Sequence, residues 1–136
     1  MALARKIFIV ALNFLLFWGI LPLVIFAAGR GLDALTGEPT VPAWARYAGI
    51  LLVVPGLCLC IHAMLLLKTR GKGLPISALG PTRLVTAGPY RVFRHPIYAG
   101  YTYCASGAGL LLGSIGMDIA AILFAVIWFN TWVLLY

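Results

Sequence analysis

Four long apolar runs dominate this chain, and their length leaves few folds open. They cover about residues 7–28, 47–67, 97–115 and 119–136, each near the roughly 20 residues that an α-helix needs to cross the hydrocarbon layer of a bilayer. Backbone in lipid must satisfy its own hydrogen bonds, so runs of this kind become helices. The sequence therefore predicts an all-α polytopic membrane protein with four transmembrane helices, forming one membrane domain over 1–136. Only Gly116-Met117-Asp118 separates the last two runs, which predicts a tight antiparallel hairpin. Pro22 and Pro55 interrupt the first two runs, and membrane helices tolerate such prolines.

Composition supports the same class. The chain is 63% hydrophobic and 10% charged, whereas a soluble domain carries about 25% charged residues. Its net charge of +7 comes from residues that flank apolar runs. That arrangement points to membrane lipids or an anionic cofactor as partners and argues against nucleic acid. Arg5 and Lys6 before an apolar stretch superficially resemble a signal peptide. The stretch is too long for a signal h-region, so it is expected to be a retained span. Cys58, Cys60 and Cys104 lie inside apolar runs and read as small packing residues, with no metal site expected.

Orientation follows from the basic residues. The first loop balances Arg30 and Arg46 with Asp33 and Glu38. The second, 68–95, holds Lys68, Arg70, Lys72, Arg83, Arg91 and Arg94 and no acid. The positive-inside rule puts the N-terminus and loop 68–95 in the cytoplasm, and four spans return the C-terminus there. This loop exceeds the about 12–15 residues beyond which loops are usually functional or disordered. Its glycines and prolines are interleaved with apolar and aromatic residues, unlike a disordered linker. His95-Pro96 would start the third span with proline in its first turn. Arg94 and His95 then sit at a helix N-terminus, where unpaired N–H groups and the positive dipole end favour an anion.

The stretch Leu84-Val-Thr-Ala-Gly-Pro-Tyr-Arg-Val-Phe-Arg-His-Pro-Ile-Tyr-Ala-Gly100, preceded by Gly71-Lys-Gly-Leu-Pro75, resembles the isoprenylcysteine carboxyl methyltransferase family and its phospholipid-methylating relatives. The resemblance covers about residues 68–136 and implies a membrane-embedded methyltransferase that uses S-adenosylmethionine and acts on a lipophilic small-molecule acceptor. It implies cofactor contacts at Leu84, Val85, Tyr90, His95, Pro96, Ile97 and Tyr98. Arg94, in the same motif, is the candidate catalytic residue, organising the pocket or meeting an anionic group. Members of that family normally continue past the last span with a Glu-Glu pair and an amphipathic segment containing Phe-Gly and Tyr. This sequence stops at Tyr136, where that segment is expected to begin, which leaves two expectations open: a truncated version, or a protein that lacks the element.

The residue chemistry is compatible with this assignment. Leu84, Val85, Ile97 and the tyrosines suit an apolar slot for adenine. Arg94, His95 and the helix N-terminus suit a carboxylate. Two other classes remain open: an NADPH-using sterol-reductase-like protein, which shares an Arg-His-x-x-Tyr element, and a non-catalytic membrane scaffold. No pattern in the sequence sets the oligomeric state.

Plainer roles are expected for several other residues. Gly109 and Gly113 form a small-xxx-small pair for helix packing, and Asn13 and Asn130 read as interhelical polar contacts. His62 reads as a neutral imidazole bonded to a neighbouring helix. Trp44, Trp128 and Trp132 suit the membrane interface or packing. Tyr98, Tyr101 and Tyr103 suit either an aromatic belt or a polar cavity. For Lys68 and Arg70, attraction to anionic lipid competes with a ligand role.

Overall fold

The computed structural model describes residues 2–37, 41–73 and 82–135, and among them all regular structure is helical. Helix α1 (Ala2–Leu15) passes through a π turn (Leu16–Ile20) into α2 (Leu21–Thr36). Helix α3 (Ala43–Thr69) follows, then a 3₁₀ turn (Gly88–Arg91), α4 (Pro96–Leu112) and α5 (Ile115–Leu135). Two stretches, Leu3–Thr36 with hydropathy 2.5 and Ala43–Thr69 with 2.6, are long and apolar enough to span a bilayer. Leu3, Phe8, Leu23, Leu51 and Leu65 are exposed, as lipid-facing side chains are. The chain is an integral membrane protein.

The π turn has a local cause. Pro22 has no N–H to donate to the carbonyl one turn earlier, and its ring crowds that carbonyl. The helix widens just before the proline, where Leu21 N–H bonds Leu16 O, five residues back as in a π-bulge.

The first helix runs further than the sequence suggested. Arg30 and Asp33, expected in a loop, lie inside α2, which ends only at Gly37 with φ 83°. Gly29 does not break the helix because it serves as a contact: a Cβ there would lie 2.5 Å from the Met117 side chain and 2.6 Å from its backbone. Arg46 likewise lies inside α3. Glu38 is outside the described residues.

The last turn of the fold also sits elsewhere. It falls at Gly113-Ser114 instead of residues 116–118. Gly113 has φ 71° and donates its N–H to Leu110 O at 3.1 Å, while Ser114 N–H reaches Gly109 O at 2.9 Å. These two bonds form a Schellman cap, which needs a left-handed residue that glycine supplies without strain. Ser114 then caps α5, accepting a hydrogen bond from Met117 N–H at 3.1 Å. Asp33, buried between the helices, accepts from Ser114 Oγ and from Gly116 N–H, the latter at 2.7 Å. A carboxylate at this helix N-terminus satisfies orphan donors and complements the dipole. Arg30 lies 4.0 Å from the same carboxylate.

Helices α3 and α4 pack antiparallel through glycine. A Cβ on Gly49 would meet Gly107 O at 2.6 Å, and one on Gly56 would meet Gly100 O at 2.8 Å. The seam is Gly49 and Gly56 against Gly100 and Gly107. Of the expected pair, Gly113 is spent on the turn and Gly109 faces α5, where its Cβ would lie 2.6 Å from Asp118 Oδ1. Buried Cys60 and half-buried Cys104 flank the seam as thiols that donate to Ile97 O and Val53 O at 3.3 and 3.8 Å. Asn13 departs from its expected role, since its Nδ2 bonds Ile9 O in its own helix at 2.8 Å. The side chains of Trp128, Asn130 and Trp132 are outside the described set.

Two stability predictions follow from these contacts. Gly100→Ala puts a Cβ 2.7 Å from Cys60 Sγ and Gly56 O; overpacking of this kind costs about 1–3 kcal/mol. Gly31→Ala meets nothing within 4 Å and should gain up to about 1 kcal/mol of helix propensity. Thermal unfolding in detergent should order them Gly31→Ala, wild type, Gly100→Ala. Asp33→Ala strips the α5 N-terminus of its carboxylate and should lower the Tm, whereas Leu35→Ala, at an 85% exposed position, should not.

Candidate functional site

The site is built where the chain between α3 and α4 turns back along α3. Gly71 O, just past the end of α3, accepts hydrogen bonds from Arg83 N–H at 3.2 Å and from Thr82 Oγ1 at 3.4 Å. The chain then runs back without regular structure through residues 84–86, with Val85 8% exposed and Leu84 89% exposed. Next comes the 3₁₀ turn, closed by Val92 N–H to Pro89 O at 3.2 Å. A Cβ on Gly88 would lie 2.8 Å from Leu66 Cδ1 and 3.1 Å from His62 Nε2, so this turn sits directly on α3. Tyr90 donates its hydroxyl to Ala63 O at 3.4 Å.

Helix α4 then starts deep in the bundle. Cys60 donates its thiol to the carbonyl of Ile97, in the first turn of α4. Cys60 lies about nine residues before the end of α3, which is about 14 Å along a helix axis. The N-terminus of α4 is therefore sunk about two and a half turns below the end of its neighbour. His95 occupies the N-cap without a side-chain capping bond, Pro96 follows in the first turn, and no acidic residue lies there. Pro96 is fully buried, and Ile97 and Tyr98 are half-buried. The His95 and Tyr98 rings lie 5.7 Å apart.

Of the residues expected from the sequence, His95, Pro96, Ile97 and Tyr98 form this sunken helix end, and Tyr90 is bonded to Ala63, one turn beyond the Cys60 that holds Ile97. Val85 is buried, whereas Leu84, Arg94 and His95 are exposed. Crowding by protein, and secondarily the Arg94 guanidinium, hold the His95 imidazole below its ordinary pKa, while burial raises that of the Tyr90 phenol. The neutral imidazole is therefore favoured. Residues 74–81, including Leu74 and Pro75 of the glycine-rich stretch, are outside the described set.

Two site neighbours were not assigned from the sequence. His62 lies against the Gly88 turn, its Nε2 3.1 Å from where a Cβ on Gly88 would stand. Its place two turns before the basic loop was the available signal. Phe17, from the π turn, stacks on Tyr98 with ring centroids 5.4 Å apart; nothing in its local sequence marks it. Behind Tyr101 lies an apolar cavity of about 190 Å³ bounded by Trp18, Pro22, Ile25, Cys104 and Met117. No group of three or more metal-ligating side chains exists among the described residues.

The charge relation between Arg94 and His95 is measurable. Arg94→Gln removes the smaller of the two effects on the imidazole, so its NMR titration midpoint should move up. Crowding persists, so the midpoint should stay below the ordinary histidine value of about 6.5.

A family model described as phospholipid methyltransferase matches residues 44–136, which take in α3, the site-forming loop, α4 and α5. No curated protein and no solved structure matches the chain. With its glycine seam, sunken α4 terminus and motif all inside the matched region, the chain belongs to the phospholipid methyltransferase family.

Proposed function

We propose that the chain is an S-adenosylmethionine-dependent methyltransferase that methylates a lipophilic acceptor at the cytoplasmic face, with its N-terminus, loop 68–95 and C-terminus on that side. The observation that supports this reading is that the motif's His95-Pro96-Ile97-Tyr98 forms the recessed N-terminus of α4, with Tyr90 bonded to α3 close by. The residues present fit the cofactor. A helix N-terminus whose N-cap side chain makes no capping bond and whose first turn holds no acid suits a carboxylate. Arg94 and His95 stand beside it. Val85, Pro96, Ile97 and the Tyr90 and Tyr98 rings offer an apolar and aromatic bed for a nucleoside.

Bound S-adenosylmethionine supplies a sulfonium methyl group for in-line displacement. The protein's part is to orient the reactants and exclude water, and positioning of that kind can supply most of the rate. No acid–base pair is required for a carboxylate acceptor, while an amine must first lose a proton. The family description favours a phospholipid amine over a prenylcysteine carboxylate. The apolar cavity behind Tyr101 has a lining suited to part of an acyl chain, in keeping with lipids as partners.

S-adenosylhomocysteine binding, measured calorimetrically on the protein in lipid nanodiscs, tests the site. Tyr90→Ala and His95→Ala should each abolish binding, and unchanged affinity in both would remove the assignment. Binding of NADPH in its place would support the reductase reading, and binding of neither the scaffold. Transfer of labelled methyl to phosphatidylethanolamine or to a prenylcysteine then identifies the acceptor.

A further inference from the structure

We infer that Phe17, carried on the π turn of the first helix, is a positioning residue for Tyr98, so that the first helix completes a site whose motif lies wholly in the family-matched region. This rests on the methyltransferase reading above. The family match begins at residue 44, yet the aromatic wall of the site begins at residue 17. The Phe17 ring lies 5.4 Å from Tyr98 at 36° and 5.3 Å from Tyr101 at 69°. Trp18 meets the same Tyr101 ring at 5.9 Å and 74°. These separations are the favoured range for aromatic pairs.

Tyr98 and Tyr101 are one turn apart on a single face of α4, so Phe17 bridges both. Tyr98 in turn lies against His95. A continuous ring-to-ring path therefore runs from the first helix to the N-cap of α4. The packing is close: only about 10 Å³ remains open between Phe17, Tyr98, Tyr101 and Phe124.

The π turn explains how neighbouring residues 17 and 18 both reach Tyr101. A wider turn rotates each residue less about the axis, so successive side chains diverge less than in an α-helix. Pro22 forces that widening, and the widening aims two aromatic rings at α4. The proline thus bears on the site without touching its motif.

The test uses the full chain in nanodiscs with ring-labelled tyrosine, the Tyr98 resonance being assigned by its loss in Tyr98→Phe. Phe17→Ala should shift that resonance, because an adjacent ring current is removed, and should weaken S-adenosylhomocysteine binding about tenfold. Phe17→Tyr should restore both. Phe8→Ala, 67% exposed on the same helix, should change neither. If Phe17→Ala fails to fold, Phe17→Leu keeps the packing volume without the ring and should give the same resonance shift. An unmoved Tyr98 resonance and unchanged affinity would overturn the proposal, as would a loss that Phe17→Tyr does not rescue. If wild type itself binds no S-adenosylhomocysteine, the cofactor reading fails. The Tyr98 resonance in Phe17→Ala then decides alone whether Phe17 sets that ring: a shift supports it, no change overturns it.

Discussion

The close contact between α3 and α4 governs the depth of everything around it. In lipid, helices gain little by hiding apolar surface from each other, so association depends on close van der Waals approach. Gly49 and Gly56 on one helix and Gly100 and Gly107 on the other leave room only for backbone against backbone. The pairing of Gly49 with Gly107 and of Gly56 with Gly100 fixes one antiparallel register. That register places the Ile97 carbonyl beside Cys60 and so sinks the N-terminus of α4 below the end of α3. The connecting chain has to travel back along α3 to reach it.

Irregular backbone at such depth survives only where protein or a cavity supplies its partners. Here the partners are specific. Gly71 O takes the first bonds at Arg83 and Thr82, the Gly88–Arg91 turn bonds within itself, and Tyr90 returns a hydroxyl to Ala63 O. At the opposite end Asp33 plays the corresponding part for α5, giving a carboxylate to donors that have no intrahelical acceptor. A buried acid near a lipid-facing surface is costly unless its lone pairs are used, and both of its oxygens are used. Helix ends, rather than helix faces, hold most of the polar chemistry of this molecule.

The sequence disclosed what depends on composition and concealed what depends on backbone angle. Apolar run length announced helices in all four places, and the motif from Leu84 to Tyr98 announced the family. Helix boundaries were less visible. Gly113 and Gly116 look alike in sequence, but only Gly113 adopts the left-handed conformation that ends α4. Gly29 resembles a breaker and is instead a contact, because Met117 comes too close for any side chain. Arg30 and Asp33 suggested a loop by their charge, and the distant Ser114 that gives Asp33 a helical role cannot be seen locally. Phe17 was concealed for the same reason, since its partners lie some eighty residues further along the chain.

A sunken helix N-terminus also answers a problem that any methyltransferase of lipids must meet. Its cofactor is polar and arrives from water, while its acceptor stays in the bilayer, so the reacting atoms have to meet near the boundary of the two phases. A helix starting at the membrane surface would offer its dipole to water, where screening weakens it. Starting about 14 Å lower along α3, α4 presents its amide end beside the buried Pro96 and the half-buried Tyr98 ring. On the proposed function, the same depth that strengthens capture of a charged group brings that group level with the apolar flank of Tyr101. The glycine seam thereby couples helix packing to chemistry: moving α4 up by one turn would return its N-terminus toward water and carry Tyr98 out of reach of Phe17.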